Sequence, residues 1–359
     1  MRIAVIGTRG GGPCQDGVDR ALAEICPRLA RRGHSIDLFS ERNGRAIANV
    51  TGARTIRMPG MPLGFNDAAS HALISSLATA FRGYDVVNFV AAETSGLFTL
   101  AAKLGLHRTV VSVHGLDRPS GFPVAPLFGP ESIAARFADV ITVVSKRLER
   151  FFRDAYGRET IYIPNGVTAS PEPDPALVTA LGLTPGNYLL IADRMVASSG
   201  AHDAVTAINT LAGNCKLVLA ELGDGDEAYR HALWRDADHD RVVFVGRMSG
   251  PVLEALMAHA YLFLLPSTAD EAPPTLLQAL AHGRAVVVSD QTEHMDVVGA
   301  EGFTFTSGDP MDLKRVLAWL LDDPEVVARM RLRAGATAAT RYCWDRIAEA
   351  YEQVYLSIV

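Results

Sequence analysis

The feature that most constrains this chain is an alternation of short apolar runs with longer amphipathic stretches, interrupted once by clustered prolines. In the first half the strand candidates are residues 2–6 (RIAVI), 35–39 (SIDLF), 85–90 (DVVNFV), 109–113 (TVVSV), 139–144 (DVITVV) and 160–163 (TIYI). They are continuously apolar rather than alternating, as expected of strands covered on both faces in a parallel sheet. Between the first two, Val18, Ala21, Leu22, Ile25 and Leu29 share one face of a helix pattern, which Pro27 is expected to kink or shorten. Residues 164–186 hold four prolines between Pro164 and Pro175 and read as a linker. The alternation then restarts at 188–192, 216–220, 241–245, 261–265, 285–289 and 303–305, with helices such as 251–259 and 274–282 between the strands. The last fifty or so residues are mostly helical, broken at Asp322-Asp323-Pro324. The pattern predicts an α/β protein of two doubly wound, parallel, Rossmann-like domains.

Composition fits that reading. At 359 residues the chain exceeds what one core usually serves, and 48% hydrophobic with 21% charged residues is ordinary for a globular protein. The net charge of −6 argues against nucleic acid as partner. Cys14, Cys26, Cys215 and Cys343 form no CxxC pair or metal-binding spacing, so reduced thiols and a cytoplasmic location are expected. The opening MRIAVIG reads as a strand rather than a signal peptide, and no run approaches the ~20 apolar residues of a membrane span.

In doubly wound sheets ligands bind beyond the C-terminal ends of the strands, so the residues following each strand carry the functional reading. After the first strand Gly7, Gly10, Gly11, Gly12 and Gly17 are dense enough to let backbone approach a phosphate or sugar, although a flexible turn is the plain alternative. The spacing is not GxGxxG, which weighs against a dinucleotide. His114 and Gly115 follow the fourth strand candidate; a lone histidine is often structural, but this one stands at a strand end. Arg194 follows the strand at 188–192 and suits a phosphate clamp, the alternative being a surface arginine paired with Asp193. After the strand at 261–265, a loop carrying Asp270, Glu271 and Ala272 turns into a helix. There Thr275 is placed to cap or donate, and Asp270 and Gln278 to meet sugar hydroxyls.

With these motifs assembled, the sequence resembles the retaining nucleotide-sugar glycosyltransferases of the GT-B fold, group 1 family. Within them it is most similar to the bacterial, rhamnosyltransferase-like branch that begins GTRG. The stretches that carry the likeness include IAVIGTRG, VVSVHGLD, ADVITVVSKRL, YIPNGV, RVVFVGRMSGPVLEALMAHAYLFLLPS and LLQALAHGRAVVVSD, and it extends over nearly the whole chain. The resemblance implies two domains facing across a cleft: an acceptor domain at 1–168, a linker at 169–186, a nucleotide-sugar domain at 187–342, and a final helix at 343–359 crossing back to the first. It implies sugar transfer with retention, a nucleoside diphosphate sugar as donor substrate, and no metal or other cofactor. The catalytic residues would be His114, Arg194 and Asp270. The donor set would be Arg194, Ser199, Asp270, Glu271, Ala272, Thr275 and Gln278, and the acceptor-side loops Gly10, Gly11, Gly12, Gly17, Arg20 and Gly115.

Several positions depart from the family pattern. The family clamps the diphosphate with an arginine and, five residues later, a lysine; here Arg194 is followed by Ser199. Its two glutamates, separated by seven residues, are here Asp270 and Gln278, Glu271 stands where glycine is preferred, and Pro273 and Pro274 offer no N–H groups to an anion. Asp16 replaces a glycine beside Gly17, and Arg20 is a candidate to replace the lysine. The preferred expectation is therefore a glycosyltransferase with an altered donor site. Its acceptor would be a glycan end, a lipid-linked saccharide or a small molecule. The alternative is a catalytically silent GT-B protein that binds a sugar, a nucleotide or a partner glycosyltransferase. A nicotinamide dehydrogenase fits poorly, and an epimerase fits the motif order less well than transfer does. Weak peripheral membrane contact through 146–153 is conceivable; a solvated helix face is preferred.

Overall fold

The computed structural model describes residues 1–8, 17–41, 50–59, 67–90, 99–103, 105–115, 130–168, 173–269 and 272–359. The chain separates into two units, Met1–Gly166 with Trp344–Val359, and Val167–Cys343.

The first unit holds a parallel sheet of β1 (Arg2–Thr8), β2 (Ser35–Glu41), β3 (Ala53–Met58), β4 (Val86–Val90), β5 (Arg108–Val113), β6 (Val140–Val143) and β7 (Ile161–Tyr162). Their spatial order is β3-β2-β1-β4-β5-β6-β7. The second holds β8 (Tyr188–Asp193), β9 (Lys216–Glu221), β10 (Val242–Arg247), β11 (Leu262–Leu265), β12 (Ala285–Ser289) and β13 (Gly302–Phe305), in the order β10-β9-β8-β11-β12-β13. Strand order reverses between β1 and β4 and again between β8 and β11. Loops leaving two such neighbours diverge to opposite faces and leave a crevice where ligands bind.

Every strand expected from the apolar runs is present, and each sheet is covered on both faces by a buried apolar layer. The unexpected strand is β3. It is an edge strand carrying Arg54 and Arg57, with no fully buried residue, so it lacks the continuous apolar signature of the others. The helix Gly17–Arg31 also differs from expectation, running past Pro27 to its end. Proline removes one helical hydrogen bond, while Ala21, Leu22, Ile25, Cys26 and Leu29 bury an entire face.

The proline-rich stretch is packed as well as connecting. Within it a short helix, Ala176–Thr179, and the turn beyond place Val178 and Leu183 in the core of the second unit. At the other end of that unit, Asp323 accepts from the Val326 N–H and starts the helix Pro324–Arg341. The last helix, Trp344–Ile358, packs with Gly17–Arg31 in the first unit, burying Trp344, Ile347, Tyr351, Val354 and Tyr355. Among the described residues no helix is long and apolar enough to cross a membrane.

Candidate functional site

In the second unit the described residues leaving β8 and β11 are laced together. Gly200 has φ +67°, and a Cβ there would lie 2.1 Å from the Pro266 carbonyl oxygen. Only glycine allows this approach. The Ser198 carbonyl accepts from the Thr268 N–H at 2.9 Å and the Ser267 hydroxyl at 3.0 Å. Ser289 donates to the Ser267 carbonyl at 2.6 Å, and its Oγ lies 2.9 Å from Nδ1 of the fully buried His294. The ends of β8, β11 and β12 are therefore held in one arrangement.

On this edge Arg194 is exposed, and its guanidinium forms no ion pair among the described residues. The alternative of an Arg194–Asp193 ion pair is not found. The Asp193 carboxylate instead accepts the Arg194 backbone N–H at 2.7 Å, and burial raises the Asp193 pKa against that bond and the nearby positive charge. Ser199, at the position of the family's lysine, is buried. Its hydroxyl accepts from the Ala201 N–H at 3.4 Å and is hydrogen-bonded to Tyr229.

The helix Pro274–Ala281 begins beyond β11 with Pro273 as its N-cap and no side-chain cap. Thr275 lies within the first turn, buried, and its hydroxyl has no partner among the described residues; the expected cap is not made. Ala272 packs half-buried against the core. Gln278 is one turn further on. Its Nε2 is 3.5 Å from Glu254 Oε1, while Glu254 Oε2 is 2.7 Å from His282 Nε2. Glu254 comes from the neighbouring helix Gly250–Ala258. Asp270 and Glu271 lie outside the described residues.

In the first unit Gly10, Gly11, Gly12 and Asp16 likewise lie outside the described residues. Gly17 starts the first helix, and a Cβ there would meet nothing within 4 Å among the described residues, nor would one at Gly115 after β5; Arg20 is half-buried in that helix's first turn. The glycine whose geometry is demanding is Gly7, with φ +112° and a would-be Cβ 2.1 Å from the Val90 carbonyl oxygen. His114 follows β5. Its Nδ1 is sealed from solvent without a partner among the described residues, although the ring is hydrogen-bonded to the Asn165 side chain. Burial depresses its pKa to about 4, the Asn165 bond opposing the shift. Beneath it lies a small cavity lined in part by Cys26, Asn88, Ser112, Tyr351 and Tyr355. A buried polar chain runs there: Thr142 donates to Ser112 at 2.9 Å, Ser112 to Asn88 at 2.9 Å, and Asn88 to the Tyr355 hydroxyl at 2.9 Å. Tyr351 bonds Ser112 and Thr142.

Gly7 was read only as one of five clustered glycines, and Gly200, Glu254 and His282 were not singled out from sequence. The i, i+4 spacing of Gln278 and His282 was a usable signal for the last, since it puts both on one helix face. Nothing local marks Glu254 as their neighbour.

Comparison with known proteins agrees with this architecture. Residues 15–170 match the family described as Glycosyltransferase Family 4, and residues 186–323 that described as Glycosyl transferases group 1. Glycogen synthase of Deinococcus radiodurans is 28% identical over 184 residues, covering 50% of this chain and 40% of that protein. Glycogen synthase of Mycobacterium tuberculosis is 27% identical over 240 residues, covering 63% and 56%. The chain thus spans about half the length of these curated relatives. The crystal structure of HepE from Anabaena in complex with UDP superposes with a TM-score of 0.79 at 21% identity, covering 99% of this chain and 100% of that one. Identity this low carries the fold. With matched families over most of its length, this chain belongs to the group 1 glycosyltransferases of the GT-B fold.

Proposed function

We propose that this chain moves a sugar from a nucleoside diphosphate sugar to an acceptor hydroxyl with retention of configuration. The observation that supports this most is the exposed Arg194, without an ion-pair partner among the described residues, at the end of β8 on the switch-point edge. A preset cation there stabilises the diphosphate as it leaves. In this reading the bond from acceptor oxygen to anomeric carbon forms as the bond from that carbon to the diphosphate oxygen breaks, on the same face, and the acceptor hydroxyl's proton passes to the departing diphosphate. Arg194 meets the diphosphate, Asp270 the donor sugar and Gln278 the ribose, while His114 shapes the acceptor side. The HepE structures with UDP and with UDP-glucose support trying uridine donors first.

The same reading assigns the GTRG rhamnosyltransferase-like branch, a cytoplasmic location, and a glycan, lipid-linked or small-molecule acceptor. It takes no metal or cofactor, and chelator should leave transfer unchanged. A second reading, a silent GT-B protein that binds a nucleotide, a sugar or a partner transferase, is favoured by two observations. Ser199 is turned into the core where a lysine would reach the diphosphate, and Pro273 and Pro274 bring no N–H to the helix start.

Calorimetric titration of UDP, GDP and dTDP into wild type and Arg194→Ala tests the donor site. Micromolar binding of one nucleotide, lost in the variant, supports it and names the base. No binding at millimolar concentration rejects transfer from a nucleoside diphosphate donor. Nucleotide binding without turnover over a broad acceptor set leaves the silent reading.

A further inference from the structure

We infer that Glu254, braced by His282, is a positioning residue that turns Gln278 into a ribose-specific acceptor; this rests on the proposed donor reading. A primary amide has two ends of nearly equal shape, an oxygen that accepts and an NH2 that donates. Left alone, Gln278 presents either end to a ligand and discriminates poorly between a hydroxyl and its absence. Glu254 removes that freedom. A carboxylate only accepts, so the end of Gln278 that faces Glu254 Oε1, 3.5 Å away, is its NH2. The amide oxygen is left for a donor, and a ribose hydroxyl is such a donor.

The carboxylate is itself held. His282 Nε2 lies 2.7 Å from Glu254 Oε2, with the histidine side chain 5% exposed and the glutamate side chain 25% exposed. His282 follows the helix Pro274–Ala281 that carries Gln278, and Glu254 belongs to the helix Gly250–Ala258. The arrangement therefore ties two helices together at the level of Gln278. Its chemistry replaces a carboxylate at position 278 by an amide made to behave as an acceptor. The negative charge moves to the adjacent helix, one hydrogen bond away.

The test compares each ribonucleoside diphosphate with its 2′-deoxy form, UDP with dUDP and GDP with dGDP, by calorimetry on the full chain. Wild type is expected to prefer the ribose form by about tenfold, the worth of one well-oriented hydrogen bond. Glu254→Gln should cut that preference to about twofold or less while leaving deoxynucleotide affinity unchanged, because an amide partner accepts either orientation of Gln278. The double variant Glu254→Gln/Gln278→Glu should regain the preference, since a carboxylate at 278 needs no orientation. Should Glu254→Gln fail to fold, Gln278→Leu serves in its place and should abolish the preference. Wild-type ribose preference retained in Glu254→Gln or in Gln278→Leu overturns the inference, as does wild type binding both forms equally. Failure of wild type to bind any of the four nucleotides or dTDP is a different result: it removes the donor reading and this inference with it.

Discussion

The two sheets are built on the same plan but use their polar residues in opposite ways. Each reverses strand order once, and each sets a glycine of positive φ against a carbonyl at the end of the strand across the reversal or just beyond it. Gly7 approaches Val90 in the first sheet and Gly200 approaches Pro266 in the second, each with a would-be Cβ 2.1 Å from that oxygen. In the first unit the described polar groups near that point turn inward. Asn88, Ser112 and Thr142 bond one another and are closed off by Tyr351 and Tyr355 from the last helix. In the second unit the exposed Arg194 stands at the strand-end edge, and the Gln278–Glu254–His282 group ties the helix beyond β11 to its neighbour. The same topology thus serves a sealed polar interior in one unit and a presented cation in the other. Burial requires polar groups to find partners inside, whereas an edge lets water hold a charge until a ligand displaces it.

The comparison can be broken most sharply at Arg194. Arg194→Ala should lower kcat by roughly a hundredfold or more, as loss of one preset charge at a leaving group does, with little change in thermal stability. Single-turnover assays with the donor identified by calorimetry would read this, and a variant retaining full kcat would remove Arg194 from the chemistry. Next come the paired glycines. Gly7→Ala and Gly200→Ala should each cost about 3 kcal/mol, combining left-handed strain with a clash against backbone. Gly17→Ala, whose Cβ meets nothing within 4 Å among the described residues, should stay within about 0.5 kcal/mol. Urea unfolding of the three variants separates a shared device from a coincidence.

A smaller effect sharpens the sealed side. Tyr355→Phe removes the partner of Asn88 Nδ2 and leaves a buried amide N–H unmet, so it should cost about 1–3 kcal/mol in the same assay. A last effect concerns His114. Its folded pKa is depressed from 6.5 to about 4, so between those values the unfolded chain binds more protons. The contribution is fully present above the unfolded pKa and is lost as pH falls toward the folded one. Stability should therefore decline from pH 6.5 to pH 4. His114→Gln should flatten that decline by up to about one proton. An unchanged slope would show that His114 titrates as it does in the unfolded chain.

Strands with continuous apolar runs were all legible, because burial on both faces leaves no position free to be polar. β3 was not, since an edge strand keeps polar residues such as Arg54 and Arg57. Pro27 misled because the apolar face of its helix outweighs one missing hydrogen bond. At the site, strand ends pointed to Arg194, Gln278 and His114. That Ser199 is buried against Tyr229, that Thr275 does not cap, and that His114 Nδ1 is sealed depend on neighbours distant in sequence.

What the sequence by itself determined is the alternation that makes two parallel sheets, the proline-marked passage between them and the positions of the strand ends. These follow from local periodicity and from which residues can enter a doubly covered strand. Only the tertiary structure decided that Gly7 and Gly200 must be glycine, that the last helix seals the Asn88 chain, and that Glu254 faces Gln278 and His282. Each of these is a contact between segments that share no local pattern, fixed by how helices and strands stack rather than by the residues on either side.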